Sequence, residues 1–220
     1  MKLSITEENY LKAIFSLSSN DKVAVNTNNI AEHLSMKPAS ITDMVKKLSA
    51  KNLVIYEKYK GTALTPEGSK IALEVIRKHR LWETFLVEKL NFKWDEVHDL
   101  AEQLEHIKSH ELVKRLDDFL GNPKFDPHGD PIPDKNGMIN FKEPVLLNTL
   151  KIQKTGVVIG VNDSSDLFLK YLNKLEISLG TQIRLIEKIP FDNSLEILIN
   201  DHLSSVIISA EVAGNIYIKN

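Results

Sequence analysis

Cysteine is missing from all 220 residues. That absence excludes disulfide frameworks, thiolate zinc sites, iron–sulfur clusters and cysteine nucleophiles together. Any metal must be held by histidine, carboxylate or amide ligands. Long apolar runs are missing too: none approaches the ~20 residues of a membrane span, so no membrane partner is expected. The opening MKLSITEENY has no apolar signal core, and a cytoplasmic location is the expectation. No Ser/His/Asp nucleophile pattern and no phosphate loop stands out, so catalysis is not expected. Strong net charge is also missing: 28 basic and 30 acidic residues leave −2.

That near-neutral total hides an uneven distribution. Residues 22–61 carry Lys22, Lys37, Lys46, Lys47, Lys51, Lys58 and Lys60 against Glu32, Asp43 and Glu57. The acidic excess lies elsewhere, in KWDEVHDLAEQLEH and KRLDDF. Phosphate attraction is a local field, so the segment matters more than the sum. The hydrophobic fraction of 42% suffices for packed cores, and the length suits about two domains or three small ones.

SITEENYLKAIFSL places Tyr10, Leu11, Ile14, Phe15 and Leu17 at helical spacing, with Ser4 or Thr6 as N-cap. TNNIAEHL predicts a short helix capped by Thr27, with Ile30, Ala31 and Leu34 inward. Pro38 opens a second, PASITDMVKKLSAKN, with Ile41, Met44, Val45 and Leu48 on one face. A short helix, a tight break and an amphipathic helix predict a helix-turn-helix. LVIYEKY and TALTP, around Lys60 and Gly61, predict a β-hairpin wing with a basic tip. One long helix is expected from Pro66 to about Leu90 and a second from about Trp94 to Leu120. Residues 121–144, rich in proline and glycine, are expected to be irregular. TGVVIGV, TQIRLIEKI, LEILIN, SVIIS and NIYIK then predict a small β-barrel, interrupted by the helix DLFLKYLNKL.

A DNA reader needs a helix whose first turns reach base edges while its flanks hold phosphates. Pro38, Ala39, Ser40, Thr42, Asp43 and Lys46 occupy the exposed positions of the second short helix, with Thr27 and Lys37 beside them; Tyr59 and Lys60 sit on the wing. A three-helix core with solvated lysines is the plainer alternative, and the basic wing favours DNA. In the long helices, His79 and Glu83 stand one turn apart on one face. His98, Glu102 and Glu105 share another, with His106 at its margin, over an arc of about 100°. Packed together, these faces assemble three imidazoles and three carboxylates, donors suited to Mn, Fe, Co, Ni and Zn, with the absence of thiolate favouring harder ions. A solvated charged surface is the competing reading of His79 and Glu83 alone. His33, His110, His128 and His202 lack such company.

At these residues the chain resembles the diphtheria-toxin-repressor family of iron- and manganese-dependent repressors. RKHRLWETFL, EVHDLAEQLEHIKSHELVKRL and PHGDPIP are similar to its dimerisation domain. IAEHLSMKPASITDMVKKL and YEKYKGTALTPEG are similar to its DNA reader, and the remainder to its SH3-like (FeoA-like) domain. The resemblance implies a mainly α chain with a β C-terminal domain: winged helix-turn-helix at 1–73, helical metal-binding and dimerisation domain at 74–143, SH3-like domain at 144–220. It implies a homodimeric repressor on double-stranded operator DNA, controlling metal-uptake genes with Mn(II) or Fe(II) as co-repressor; Zn(II), Co(II) or Ni(II) would also suit the donors. Two metal sites per subunit follow: His79, Glu83 and His98, and Glu102, Glu105 and His106 with Asn9 from the first helix. Glu102 is the manganese-type choice where iron-type members present cysteine. Asn9 stands where relatives carry Met or Asp, and Lys12 where manganese-type members can carry a carboxylate. Asp163 and Asp166, three apart, match ligands that some relatives supply from the SH3-like domain. A dinuclear metallohydrolase and a metal-independent winged-helix regulator are the rival readings.

Overall fold

The computed structural model describes residues 3–18, 24–58, 60–139, 145–163, 165–200 and 202–219. Contacts divide it into two units. The first comprises Met1–His79, Glu102–His110 and Pro133–Met138; the second Arg80–Ala101, Glu111–Ile132 and Ile139–Asn220.

In the first unit α1 (Ile5–Leu17) opens with a capping box: the Glu7 amide donates to Ser4 Oγ, and the Ser4 amide donates to the Glu7 carboxylate. Ser4 is therefore the cap, and Tyr10, Leu11 and Ile14 form the buried face. α2 (Thr27–His33) is capped by Asn26 rather than Thr27: Asn26 has the extended backbone of an N-cap and its side chain accepts from the Asn28 amide at 2.9 Å. α3 (Pro38–Ala50) starts on proline, whose missing N–H has no helical partner to lose. It buries Ile41, Val45 and Leu48 against α1 and α2 residues. Each such side chain contributes about 1.5–3 kcal/mol on leaving water. The wing is β1 (Val54–Glu57) paired antiparallel with β2 (Gly61–Leu64), and Val25 extends it by two backbone bonds to Thr62.

Glu7 ties α1 to α3. Its buried carboxylate lies 2.5 Å from Lys51 Nζ and 3.1 Å from Lys47 Nζ. Burial alone would raise its pKa; Lys51, the Ser4 amide and Lys47 outweigh it and hold the group down at about 2.

α4 (Pro66–Leu90) contributes residues to both units. The expected second long helix is instead two: α5 (His98–Leu104) and α6 (His110–Phe119). Past Leu104 the chain tightens, with Ile107 N–H donating to the Leu104 carbonyl, and Lys108 reaches the Leu3 carbonyl at 2.9 Å. Ser109, of a residue type that starts helices, precedes α6. Glu105 and His106 therefore lie in a turn rather than on a helix face.

The second unit is built on an antiparallel sheet of six strands, ordered β3-β8-β4-β5-β6-β7. These are β3 (Val145–Leu146), β4 (Thr155–Val161), β5 (Gln182–Lys188), β6 (Leu195–Ile199), β7 (Val206–Ile208) and β8 (Ile216–Lys219). One face buries Val158, Ile183, Leu185, Ile197 and Ile218, with Leu169 and Leu172 of α7 (Asp166–Lys174) packed on it. α8 (Ala210–Ala213) and β3 are too short to show a period in the sequence. Trp94 joins this core and donates its indole N–H to Asn173 at 2.8 Å.

Candidate metal centre

In the first unit the sequence-expected ligands converge from three segments. α1 carries Asn9 with Glu8 and Lys12, two residues not expected as ligands, α4 presents His79, and the end of α5 with its following turn presents Glu102, Glu105 and His106. Glu105 is fully buried. Its Oε2 lies 2.6 Å from both Lys12 Nζ and His79 Nδ1. Lys12 Nζ also lies 2.6 Å from Glu102 Oε1. With the proton on His79 Nδ1, that ring donates to Glu105 and carries its lone pair on Nε2.

His106 is oriented from its other side. Its Nδ1 lies 2.7 Å from Glu8 Oε2, so Nδ1–H donates to the carboxylate and Nε2 is left as a lone pair. Nε2 faces Glu105 Oε1 at 3.6 Å, too long for a hydrogen bond. Both atoms are buried without a hydrogen-bond partner, and so is Asn9 Oδ1. An unsatisfied buried acceptor costs about 1–3 kcal/mol. Nitrogen, carboxylate and amide acceptors lacking donors are the donor set of a divalent transition ion, so these residues fit a metal.

The other expected set, His79, Glu83 and His98, divides between the units: His79 belongs to the first, Glu83 and His98 to the second. His79 and Glu83 remain one turn apart on α4. His98 is exposed, with Nδ1 3.5 Å from Glu83 Oε1.

Within the second unit Glu83 has company that spacing did not reveal. Glu83, Asp126 and His128 are all buried, with one possible ligand atom of each within 4.8 Å of the others. His128 Nε2–H donates to the Trp94 carbonyl at 2.8 Å, which turns Nδ1 toward Glu83 at 3.6 Å. Asp126 Oδ1 accepts from the backbone amides of His128 and Asp130, while its Oδ2 lies 3.5 Å from Arg80 Nε. The Asp126 pKa is pushed up to about 7 by burial first, then by the charges of Glu83 and Asp130, against Arg80 and His128. Burial pulls His128 down, but the facing Glu83 carboxylate, the charge of Asp126 and the Trp94 carbonyl carry it up to about 9. His128 supplies the cluster's cation at neutral pH. The only sequence signal was Asp and His two apart in a Pro-rich loop, where no helical register applies.

Glu83→Gln is accordingly expected to lower the His128 titration midpoint from about 9 toward 6.5. The raised folded value means the pairing stabilises the fold fully below pH 6.5 and is lost as pH rises through about 9. Imidazole NMR signals of the metal-free protein provide the check; an unmoved midpoint would assign the shift elsewhere.

Asp163 is half-buried and accepts from the Ser165 amide at 2.8 Å. It stands two residues past Val161, whose amide donates to the His128 carbonyl at 2.5 Å. The Asp166 side chain and Tyr59 lie outside the described residues. His33, His110 and His202 are exposed. Of the DNA-contact candidates, Lys37, Pro38, Ala39, Ser40, Asp43, Lys46 and Lys60 are exposed, and Thr27 and Thr42 are half-buried. Thr42 Oγ1 donates to the Pro38 carbonyl, and Lys60 pairs on the surface with Glu57.

The family model of the iron dependent repressor N-terminal DNA binding domain matches residues 2–62, and that of the iron dependent repressor metal binding and dimerisation domain matches residues 65–134. A FeoA domain model matches residues 145–220. The iron-dependent repressor IdeR of Mycobacterium tuberculosis is 34% identical over 128 residues, 58% of this chain and 55% of its own. The chain thus spans about half the length of that curated relative. The transcriptional regulator MntR of Bacillus pumilus is 35% identical over 113 residues, 51% of this chain and 77% of its own. Among solved structures, a manganese-dependent transcriptional repressor in complex with manganese superposes with a TM-score of 0.77 at 33% identity, covering 96% of this chain and 98% of that one. ScaR with bound Zn2+ gives 0.71 at 31% identity, covering 97% and 98%.

Proposed function

The chain belongs to the iron-dependent repressor family, and from that premise we propose that it represses transcription by binding double-stranded operator DNA with Mn(II) or Fe(II) as co-repressor. The family is one of metal-dependent transcriptional repressors rather than enzymes, and we assign this chain no catalysis, a cytoplasmic location and a homodimeric state. Its domains in this reading are 1–73, 74–143 and 144–220. The controlled genes are those of metal uptake.

The observation that carries the metal reading is a facing pair of buried acceptors without donors, Glu105 Oε1 and His106 Nε2, 3.6 Å apart, with Asn9 Oδ1 of α1 likewise buried without a donor. A bound divalent ion would supply the positive charge and directional bonds those atoms lack. The chain's own residues relay the consequence. Glu8 on α1 orients His106, while Glu7, the preceding residue, is held by Lys47 and Lys51 at the end of α3. One helix therefore links the ligand cluster to the recognition helix. Ordering α1 against Glu105 and His106 orders α3, whose first turn offers Pro38, Ala39, Ser40 and Thr42 to bases and Lys46 to phosphate. In a dimer the two α3 helices must stand about one DNA turn, ~34 Å, apart. Moving such an equilibrium from 1:99 to 99:1 takes about 5.5 kcal/mol of differential binding.

For a further ion Glu83 is the common ligand of two sets, His79 with His98 as the family resemblance groups them and Asp126 with His128 by burial. Asp163 and Asp166 follow β4 as additional candidates. Burial and the Trp94 carbonyl's hold on His128 favour the second set. Loss of an ion in His128→Ala but not in His98→Ala would support that preference, and the reverse would restore the first.

The deciding experiment titrates metal-free protein against an operator fragment with Mn(II), anaerobic Fe(II) and Zn(II) in turn, at fixed salt. Marked tightening by Mn(II) or Fe(II) is the expected result. Equal binding with and without every metal would overturn the co-repressor reading.

A further inference from the structure

We infer that Lys12 is a built-in cation of the Glu105 cluster, holding a position that a second ion would otherwise take, so that the cluster accepts a single divalent ion. The inference rests on the proposed ligand role of Glu105 and His106. His79, Glu102 and Glu105 lie close enough together to hold an ion of their own. The Lys12 ammonium sits among them instead, 2.6 Å from each carboxylate and 3.1 Å from His79 Nδ1, with its side chain 16% exposed.

The two oxygens of Glu105 meet different partners. Oε2 is committed to Lys12 and His79, whereas Oε1 faces His106 Nε2 and has no hydrogen-bond partner. One carboxylate thus separates a filled cation position from one whose acceptors lack a donor. Charge agrees. Glu8, Glu102 and Glu105 against Lys12 leave two negative charges, which one divalent ion neutralises. A second ion would have to approach an ammonium a few ångströms away in a poorly solvated pocket, where like-charge repulsion is strong. Because Lys12 is on α1, it also holds that helix to Glu102 and Glu105 before any ion arrives.

The test counts Mn(II) bound per chain by elemental analysis after equilibrium dialysis, in the full-length protein. Lys12→Glu and Lys12→Met are each expected to bind one more ion per chain than the wild type, and Lys12→Arg the same number. An unchanged count in both Lys12→Glu and Lys12→Met, each verified as folded by circular dichroism, would overturn the inference. The wild type gives an independent reading through amine acylation followed by peptide mass mapping. Lys12 should stay protected at saturating Mn(II); if the ion exposes it to the reagent, the ammonium is displaced and the inference fails. Glu105→Gln and His106→Ala separate the underlying reading. Loss of an ion in both supports it, and no loss in either would remove the metal from this cluster altogether.

Discussion

Glu105→Ala is expected to abolish metal-dependent operator binding while leaving the protein folded and its oligomeric state unchanged. Three members of the cluster, Lys12, His79 and His106, face its carboxylate. Truncation removes the oxygen opposite His106 and releases the α1 lysine from one of its two carboxylates. Metal-induced tightening should fall by about 100-fold or more, equivalent to about 2.7 kcal/mol of lost coupling. Affinity in the absence of metal should change little, because the exposed residues of α3 and the wing are untouched. Fluorescence anisotropy on an operator fragment, with and without Mn(II), measures both. Glu105→Gln keeps the volume and serves as the control for packing. His79→Ala, which removes the ring that donates to Glu105, is expected to follow the same pattern. Full metal activation in Glu105→Ala would refute the assignment of this residue.

A second large effect is expected from a change that touches no titratable group. Gly160→Ala should lower stability by about 3 kcal/mol or more, because an added Cβ cannot be accommodated by side-chain adjustment. That Cβ would lie 2.2 Å from Gly129 Cα, 2.6 Å from the His128 carbonyl oxygen and 2.8 Å from the Gly129 nitrogen, all backbone atoms. Strand β4 and the loop carrying His128 must separate, and the bond from Val161 N–H to the His128 carbonyl lengthens with them. The melting temperature should fall by about 6–12 °C for a chain of this length. Gly121→Ala makes an instructive contrast. Its φ of +75° strains an alanine, but nothing lies within 4 Å of the added carbon, so a cost of about 1 kcal/mol is expected. Equal melting temperatures for the two variants would mean that the close approach of Gly129 and Gly160 is not maintained in solution. Because Gly129 adjoins His128, Gly160→Ala should also weaken any ion held by Glu83, Asp126 and His128.

Local chemistry was enough for several elements. Pro38 marked the start of α3, the spacing of Ile41, Val45 and Leu48 marked its buried face, and the apolar runs after residue 144 marked the strands. Spacing also grouped His98, Glu102 and Glu105, with His106 at their margin, and the family resemblance set Glu102, Glu105 and His106 together. It misled where two helices were drawn as one. The residues between α5 and α6 have helical composition, and their departure from the helix goes with a distant bond, from Lys108 to the Leu3 carbonyl. It was silent on the loop, where Asp126 and His128 carry no period to read.

By itself the sequence determined what depends on neighbours a few residues away: helix faces, the hairpin around Lys60 and Gly61, the basic segment 22–61 and the cysteine-free ligand chemistry. Only the tertiary structure decided which side chains of distant segments share a pocket. Lys12 meets Glu105 across 93 positions, Glu8 meets His106 across 98, and Glu83 meets His128 across 45. Periodicity carries information over one or two turns and then loses phase at each loop. A site assembled from three or four segments is therefore written in the packing of their apolar faces, which bring its polar groups together wherever the chain happens to place them.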